Sequence, residues 1–302
     1  MTAIISPDHV ANSKKAKQLY IASRNAASGA DDWHFKLREA RAIITAALRA
    51  SNYLRNVSRA LEENGGHMRV FRHFMAPPTS QDQFKLLCDG WQKAKENGGS
   101  SLTPVKAAEA AKVFLEWKDV SIGRWLDDGR EPTRAEVRSI LLRIAPLIAS
   151  QDLATWKRNQ LANQQEQEIV ELLVSKGWTK LPSSLIDMRA AVSTKHFMHK
   201  TRFATKTTAP QEVDIACGLK NSYVMAMECK VTNDETNSVK RVNDIIKKAN
   251  AWKEHWGSFV ETAALLQGVI AAKDVQRLAD NGVVVFWSHD LAAFSAWLDT
   301  RV

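Results

Sequence analysis

The stretch "EVDIACGLKNSYVMAMECK", from Glu212 to Lys230, decides the fold that the rest of the sequence has to complete. It contains two apolar runs, "VDIACGL" and "YVMAMEC", and each is long enough for a buried strand. The polar segment "KNS" between them is typical of a turn. An acidic residue interrupts the first run and another ends the second. We therefore predict two neighbouring antiparallel strands that carry carboxylates in apolar surroundings.

The period of a strand determines which of these polar side chains can meet. Residues i and i+2 point to the same side, so Glu228 and Lys230 share one face and Cys229 turns to the other. If the strands are antiparallel neighbours, Asp214 lies beside Glu228. Two adjacent carboxylates need a counter-ion, and hard oxygen ligands of this kind suit Mg²⁺. The predicted metal set is Asp214, Glu228 and Cys229, with Lys230 orienting the attacking water and offsetting charge on a transition-state phosphate.

The alternative to a metal site is an ordinary salt bridge with only a structural role at the edge of the sheet. An acidic residue two positions before a lysine is a short pattern, and it also occurs in "EWK", Glu116–Lys118. That copy lies in an alanine-rich helical pattern, where residues i and i+2 do not share a face. The copy at Glu228 ends an apolar strand and follows a strand with an embedded aspartate. Three charges in such surroundings are costly as structure alone, which favours a functional site.

The patterns on either side of the two strands indicate an α/β fold with an all-α N-terminal region. Helical periodicity over 33–66, 103–119 and 131–150 predicts a helical domain spanning residues 1–160. From residue 164 onward helices and strands follow in the order α-β-β-β-α-β and then α-β-α. This order predicts a second domain, residues 161–302, built on a mixed sheet flanked by helices on both faces.

Composition excludes some classes of protein and leaves others open. The chain has 302 residues, 45% of them hydrophobic, and a formal net charge of +9, which gives a weak bias toward polyanions. Its three cysteines show no paired spacing, and its eight histidines show no zinc-binding spacing. No apolar run approaches eighteen residues, and the N-terminus lacks the apolar segment of a secretory signal. We expect a cytoplasmic protein without a membrane span.

The segment from Asp214 to Lys230, followed by a helix, resembles the active-site core of the PD-(D/E)xK nuclease superfamily. The resemblance covers about residues 164–272, and it maps the superfamily motif onto Asp214, Glu228 and Lys230. The residue before Asp214 is valine where the motif often has proline. The resemblance implies metal-dependent hydrolysis of phosphodiesters with Mg²⁺ as cofactor. It also implies a further catalytic acid on the first core helix, for which Glu168 is the first candidate and Glu171 the second, although an ordinary solvated acid is the alternative.

Within this superfamily the chain is similar to type II restriction endonucleases. It has a helical N-terminal region, one nuclease core and no GxxxxGK[ST] motif, so no nucleotide cofactor is expected. The resemblance implies sequence-specific cleavage of double-stranded DNA by a homodimer of a restriction-modification system. The N-terminal region would serve DNA recognition, dimerisation or structure alone. The alternatives are a repair or phage-defence nuclease with structural specificity, and a catalytically inactive DNA-binding module on the same fold.

Two basic segments flank the predicted site and are candidates for binding DNA. The first, residues 189–208, contains Lys200 and Arg202 and no acid, although a solvated hairpin face is an alternative reading. The second follows Lys230 and contains Asn237, Lys240 and Arg241. In its helix, Lys240, Lys247 and Lys248 are expected on the side that faces solvent or DNA.

Overall fold

The protein divides into two compact units that the sequence predicts only in part. The computed structural model describes residues 5–24, 26–206 and 208–302. One unit is helical and spans 26–156, and the other contains residues 157–302 together with helix α1, Pro7–Ala22. The predicted division placed all of residues 1–160 in the helical region. Helix α1 is not part of the helical unit, because Ala16 is buried among apolar side chains of the sheet-bearing unit.

The helical unit is built around one apolar core. Its largest fully buried side chains include Phe71, Phe74, Phe114 and Trp125. The helix predicted over 103–119 is present, and Pro104 stands at its first position, where the missing N–H costs nothing. The helices are α2 (Ala26–Ala50), α3 (Val57–Glu63), α4 (Met68–His73), α5 (Gln81–Leu87), α6 (Lys93–Asn97), α7 (Pro104–Trp117), α8 (Arg124–Asp127) and the first part of α9 (Arg134–Ser175).

The continuous helix predicted over 33–66 is wrong, because the chain breaks between α2 and α3. Asn52, Tyr53 and Leu54 all have positive φ angles of 46° to 73°. The Ser51 hydroxyl donates to the Ala47 carbonyl at 2.8 Å and accepts from the Leu54 N–H at 3.1 Å. A buried serine that binds the local backbone in this way competes with helix continuation. The hydrophobic period alone did not reveal this break.

Helix α9 joins two segments that were predicted to be separate helices. It runs without interruption from Arg134 to Ser175 and contains Pro146. The connecting residues 151–163 contain neither glycine nor proline, so no residue type that ends a helix stands between the two apolar patterns. The boundary between the compact units falls within this helix.

The second unit contains the predicted mixed sheet. Its order is β1-β3-β4-β5-β6-β7, with β2 also paired to β3. Strand β4 runs antiparallel to both of its neighbours, β3 and β5, whereas β5, β6 and β7 run parallel to one another. The strands are β1 (Thr179–Leu181), β2 (Leu185–Ile186), β3 (His196–Phe203), β4 (Gln211–Gly218), β5 (Val224–Thr232), β6 (Val260–Gly268) and β7 (Val284–Trp287).

Helices cover both faces of the sheet, as predicted. The later helices are α10 (Glu235–Trp256), α11 (Ala272–Asp280) and α12 (Leu291–Asp299). The end of α9 and α12 pack on one face, with Leu173 and Phe294 in the same cluster as Met227 of β5. The other face packs against α10, α11 and α1. The α9-β3-β4-β5-α10-β6 succession is the predicted αβββαβ core. Of the helices in the described part of the chain, none is long and apolar enough to cross a membrane.

Gly268, at the end of β6, allows a close approach between two strand ends. Its φ angle is +94°, and a Cβ at this position would lie 2.0 Å from the Thr232 carbonyl oxygen at the end of β5. That carbonyl accepts the Val269 N–H at 2.9 Å, so it is not free to move away.

Replacing Gly268 with Ala is therefore expected to lower the free energy of unfolding by about 2 kcal/mol or more. Gly177→Ala is the matched control, because Gly177 also has a positive φ of 77° but open space around its Cβ position. Thermal or urea unfolding of both variants measures the steric part of the effect. Equal losses in the two variants would contradict the close approach.

Candidate active site

Strands β4 and β5 bring Asp214, Glu228 and Lys230 together beside the Ile215–Met227 pair, within both strands. The register pairs Ile215 with Met227 and Ala216 with Ala226 across the two antiparallel strands. The Lys230 Nζ atom lies 3.2 Å from Asp214 Oδ2 and 2.7 Å from Glu228 Oε2. One ammonium group therefore bridges both carboxylates.

The Glu228 carboxylate is completely enclosed. None of its side chain reaches solvent. The Lys248 Nζ atom lies 2.8 Å from Glu228 Oε1 and 2.9 Å from Oε2. Two ammonium groups thus surround one buried carboxylate. The expectation that Lys248 faces solvent or DNA is wrong, because Lys248 lies beside the buried Ile245, Ala249 and Trp252 on the side of α10 that meets the sheet.

Burial and charge act against each other in this cluster. Burial raises the pKa of Glu228, and the Lys230 and Lys248 ammonium groups oppose the shift. Burial lowers the pKa of Lys230, but the charges of Glu228 and Asp214 outweigh it and raise that pKa above its ordinary value. Lys230 therefore carries its proton at neutral pH. It can supply positive charge and donate hydrogen bonds, but it is not a general base in this arrangement.

Asp214 is held by the backbone as well as by Lys230. Its Oδ2 atom accepts the Cys229 N–H at 2.7 Å, while part of the side chain stays exposed. The Cys229 thiol packs in the apolar cluster on the opposite face, and burial raises its pKa. Metal binding by sulfur requires the thiolate, so the position of this thiol does not favour a ligand role. The place of Cys229 in the metal set stays a prediction.

The carboxylate pair suits a divalent cation that keeps most of its waters. Within the described residues, no group of three His, Cys, Asp or Glu side chains is placed to hold a metal ion. The protein would therefore offer two carboxylates, Asp214 and Glu228, which already share one cation, the Lys230 ammonium. Mg²⁺ is commonly bound by one or two carboxylates together with water and substrate phosphate. The donor set fits that ion.

The acid on the first core helix that approaches this region is Glu166, which was not among the predicted residues. Its Oε2 atom lies 2.7 Å from His199 Nε2 and 3.1 Å from Lys200 Nζ, and only 8% of its side chain is exposed. Its partner His199 pairs with Ile215 of β4, the residue that follows Asp214, so Glu166 meets β3 next to Asp214. Burial and the negative charges of Asp214 and Glu166 raise the pKa of the Cys229 thiol. Glu168 instead accepts from Gln164 along the helix surface.

The spacing of α9 contains the signal that identifies Glu166. It stands three, four and seven residues before Ile169, Val170 and Leu173, which form the face of the helix buried against the sheet. Glu168 borders that face, and the exposed Glu171, which accepts from Gln167, lies farther from it.

A local irregularity of β3 brings two consecutive side chains to Glu166. In a regular strand, His199 and Lys200 would point to opposite faces. Lys200 has a φ of +53°, in the left-handed region that non-glycine residues rarely adopt, and this breaks the alternation. Backbone strain of this kind is often found at functional sites.

The predicted DNA-binding residues lie on β3 and α10. Arg202 and Lys240 are exposed, and Arg241 is half-buried. Lys200 is 55% exposed while its ammonium contacts Glu166. Asn237 is engaged at the start of α10, where its backbone N–H and its side-chain amide both donate to Asp234. Their role in binding DNA stays a prediction.

Comparison with known proteins shows the family. The model of the XamI restriction endonucleases matches residues 52–287, which is more than half of the chain. This chain belongs to the XamI restriction endonuclease family. The type II restriction enzyme XamI from Xanthomonas campestris pv. amaranthicola is 28% identical over 194 residues, covering 63% of this chain and 67% of that enzyme.

Family membership confirms the predicted resemblance to restriction endonucleases and, with it, the nuclease and hydrolase character. A crystal structure of protein VC1899 from Vibrio cholerae also aligns, with 10% identity and a TM-score of 0.29, over 85% of this chain and 56% of that one. So low a TM-score supports no inference. The mixed α/β fold of this XamI-family protein is evident from its own sheet and helices.

Proposed function

We propose that this protein is a Mg²⁺-dependent endonuclease that cuts double-stranded DNA at a specific sequence, as type II restriction enzymes do. The observation that carries the proposal is the Lys230 ammonium shared by Asp214 of β4 and Glu228 of β5. Membership of the XamI restriction endonuclease family supports DNA as the substrate. A salt bridge with only a structural role would not need a fully buried carboxylate with two lysine partners.

Each member of the cluster has a distinct task in this proposal. A bound divalent cation would polarise the phosphodiester and help to ionise water. Asp214 and Glu228 would hold that cation. The Lys230 ammonium, which stays charged at neutral pH, would then leave the carboxylates, stabilise negative charge on the phosphate and orient the water. Glu166, in place of the predicted Glu168, is the acid of the first core helix that supports the same site.

DNA would approach over the exposed basic side chains of β3 and α10. Arg202, Lys240 and Arg241 are the proposed phosphate contacts, and Lys200 joins them if it exchanges Glu166 for a phosphate. These contacts would position the duplex without reading its sequence. A homodimer is proposed because a two-fold protein fits a palindromic site and brings two active sites to the two strands.

Digestion of unmethylated bacteriophage DNA tests this function. The purified protein is incubated with the DNA with and without Mg²⁺, and the products are separated by size. Discrete fragments that appear only with Mg²⁺ are expected. A smear or nicking at irregular DNA structures would instead favour a repair or phage-defence nuclease. A mobility shift without cutting would favour the inactive DNA-binding module.

Replacing Glu166 with Gln is expected to lower the cleavage rate by about 10- to 100-fold, because it removes a carboxylate beside the site without changing its shape. Glu168→Gln is the matched control on the same helix, and we expect it to cleave within about twofold of the wild-type rate, as is usual for a surface change. Single-turnover cleavage of one duplex measures both. A larger loss of cleavage rate in the Glu168 variant than in the Glu166 variant would favour Glu168 as the catalytic acid of this helix.

A further inference from the structure

Lys248 occupies a position that the proposed chemistry does not use. It comes from α10, whereas Asp214, Glu228 and Lys230 come from two strands. Its Nζ atom lies within 2.9 Å of both oxygens of Glu228 and donates to the Glu212 carbonyl at 2.8 Å. An ammonium group has three hydrogens, and these three acceptors account for them.

The two lysines around Glu228 differ in what else they contact. Lys230 is shared with Asp214, so its ammonium lies between the two proposed cation ligands. Lys248 binds Glu228 from the side of α10, and its remaining partner is the carbonyl of Glu212 on β4. Lys230 can leave Glu228 without releasing it, because Lys248 still holds both oxygens.

The surroundings of Lys248 restrict its side chain more than solvent restricts the side chain of an exposed lysine. The neighbouring residues Ile245, Ala249 and Trp252 are buried against the sheet, so the helix face that carries Lys248 cannot turn away. Only 23% of its side chain is exposed to solvent. Lys247, one position earlier, is exposed and serves as an internal comparison.

We propose that Lys248 is a positioning residue that holds the Glu228 carboxylate toward Asp214 while Lys230 moves to the substrate. The inference rests on the proposed function, since it assigns a task to Lys248 in binding the same cation. It divides the two lysines into an anchor, Lys248, and a residue that contacts substrate, Lys230. The anchor affects how tightly the cation binds, and the substrate-contacting lysine affects how fast the phosphodiester is cut.

Isothermal titration of the full-length protein with Mg²⁺, without DNA, tests this division. We expect Lys248→Met to weaken Mg²⁺ binding by about 10- to 100-fold, the usual effect of losing a residue that orients a metal ligand. Lys247→Met is the matched control and should bind as the wild type does. In cleavage assays, saturating Mg²⁺ should restore the rate of Lys248→Met to within about threefold of the wild-type rate. It should not restore Lys230→Met.

Other outcomes overturn the inference, and they separate it from the proposed function. Unchanged or tighter Mg²⁺ binding by Lys248→Met would mean that the lysine only repels the cation. If Lys248→Met does not fold, Lys248→Gln replaces it. Glutamine is uncharged and one bond shorter than lysine, so it cannot hold both Glu228 oxygens as Lys248 does, and unchanged Mg²⁺ binding by that variant also overturns the inference. Wild-type protein that binds no Mg²⁺ would overturn the proposed function together with the inference.

Discussion

Replacing Asp214 with Asn is expected to reduce DNA cleavage by at least about 1,000-fold, the upper end of the loss seen when one stabilising group is removed from a transition state. The side-chain amide keeps the size of the carboxylate but loses the charge that a divalent cation requires. Binding of the same duplex should change by less than about threefold, because phosphate contacts made elsewhere dominate affinity. Single-turnover cleavage and a gel-shift titration without divalent cation measure the two properties.

The matched control for this variant is Asp244→Asn, an exposed acid on α10. It changes the net charge by the same amount without removing a carboxylate of the cluster, so cleavage should be unaffected. If Asp214→Asn cut DNA at a rate close to that of the control, Asp214 would have no part in the chemistry. Loss of binding together with cleavage would instead indicate a structural role.

Replacing Lys230 with Met is expected to reduce cleavage by at least about 100-fold at every Mg²⁺ concentration. The reason is that Lys230 carries its proton at neutral pH and is the cation placed between Asp214 and Glu228. Methionine keeps the length of the side chain without the charge. A pre-steady-state measurement of the cleavage step in the presence of excess enzyme isolates this effect from DNA binding.

Lys230→Arg distinguishes charge from geometry in the same position. Arginine keeps the charge but presents a planar group with different hydrogen-bond directions, so we expect cleavage to remain impaired. If Lys230→Met cut DNA at the wild-type rate, the lysine would be only a counter-ion for the two acids. Thermal unfolding of both variants should accompany the kinetics, because removing a buried charge partner costs about 3–5 kcal/mol.

The sequence predicts the central part of this site because only local geometry is needed. A two-residue period places Glu228 and Lys230 on one side. A short turn pairs β4 with β5 and restricts their register, which brings Asp214 close to Glu228. The succession of elements after residue 164 follows from hydrophobic periodicity in the same way. These features are each specified within a few residues of chain.

The contributions of Glu166 and Lys248 are harder to predict because they depend on how helices meet the sheet. Both residues lie beside the apolar stripes of their helices, where a charged side chain can equally reach solvent or turn inward. The hydrophobic period places Glu166 on the apolar stripe of α9, but it does not show that a charged side chain there finds a buried partner. The β3 irregularity at Lys200 has no sequence signature at all, since lysine rarely adopts a positive φ.

Two features of the N-terminal half of the chain could not be predicted from hydrophobic periodicity. The break between α2 and α3 depends on Ser51 binding the backbone, and the placement of α1 depends on the burial of Ala16 among apolar side chains of the sheet-bearing unit. Neither residue departs from ordinary helical composition. A local side-chain hydrogen bond decided the first and tertiary packing the second, as often happens when local propensity is weak.

Cleavage of one bacteriophage DNA by wild-type protein, freed of metal with a chelator and then titrated with Mg²⁺, tests the central claim most directly. The two carboxylates bridged by Lys230 predict no cutting before Mg²⁺ is added and discrete fragments afterwards. Asp214→Asn should produce none under the same conditions. Fragments of the same size in the presence of the chelator, or from Asp214→Asn at the wild-type rate, would contradict the claim.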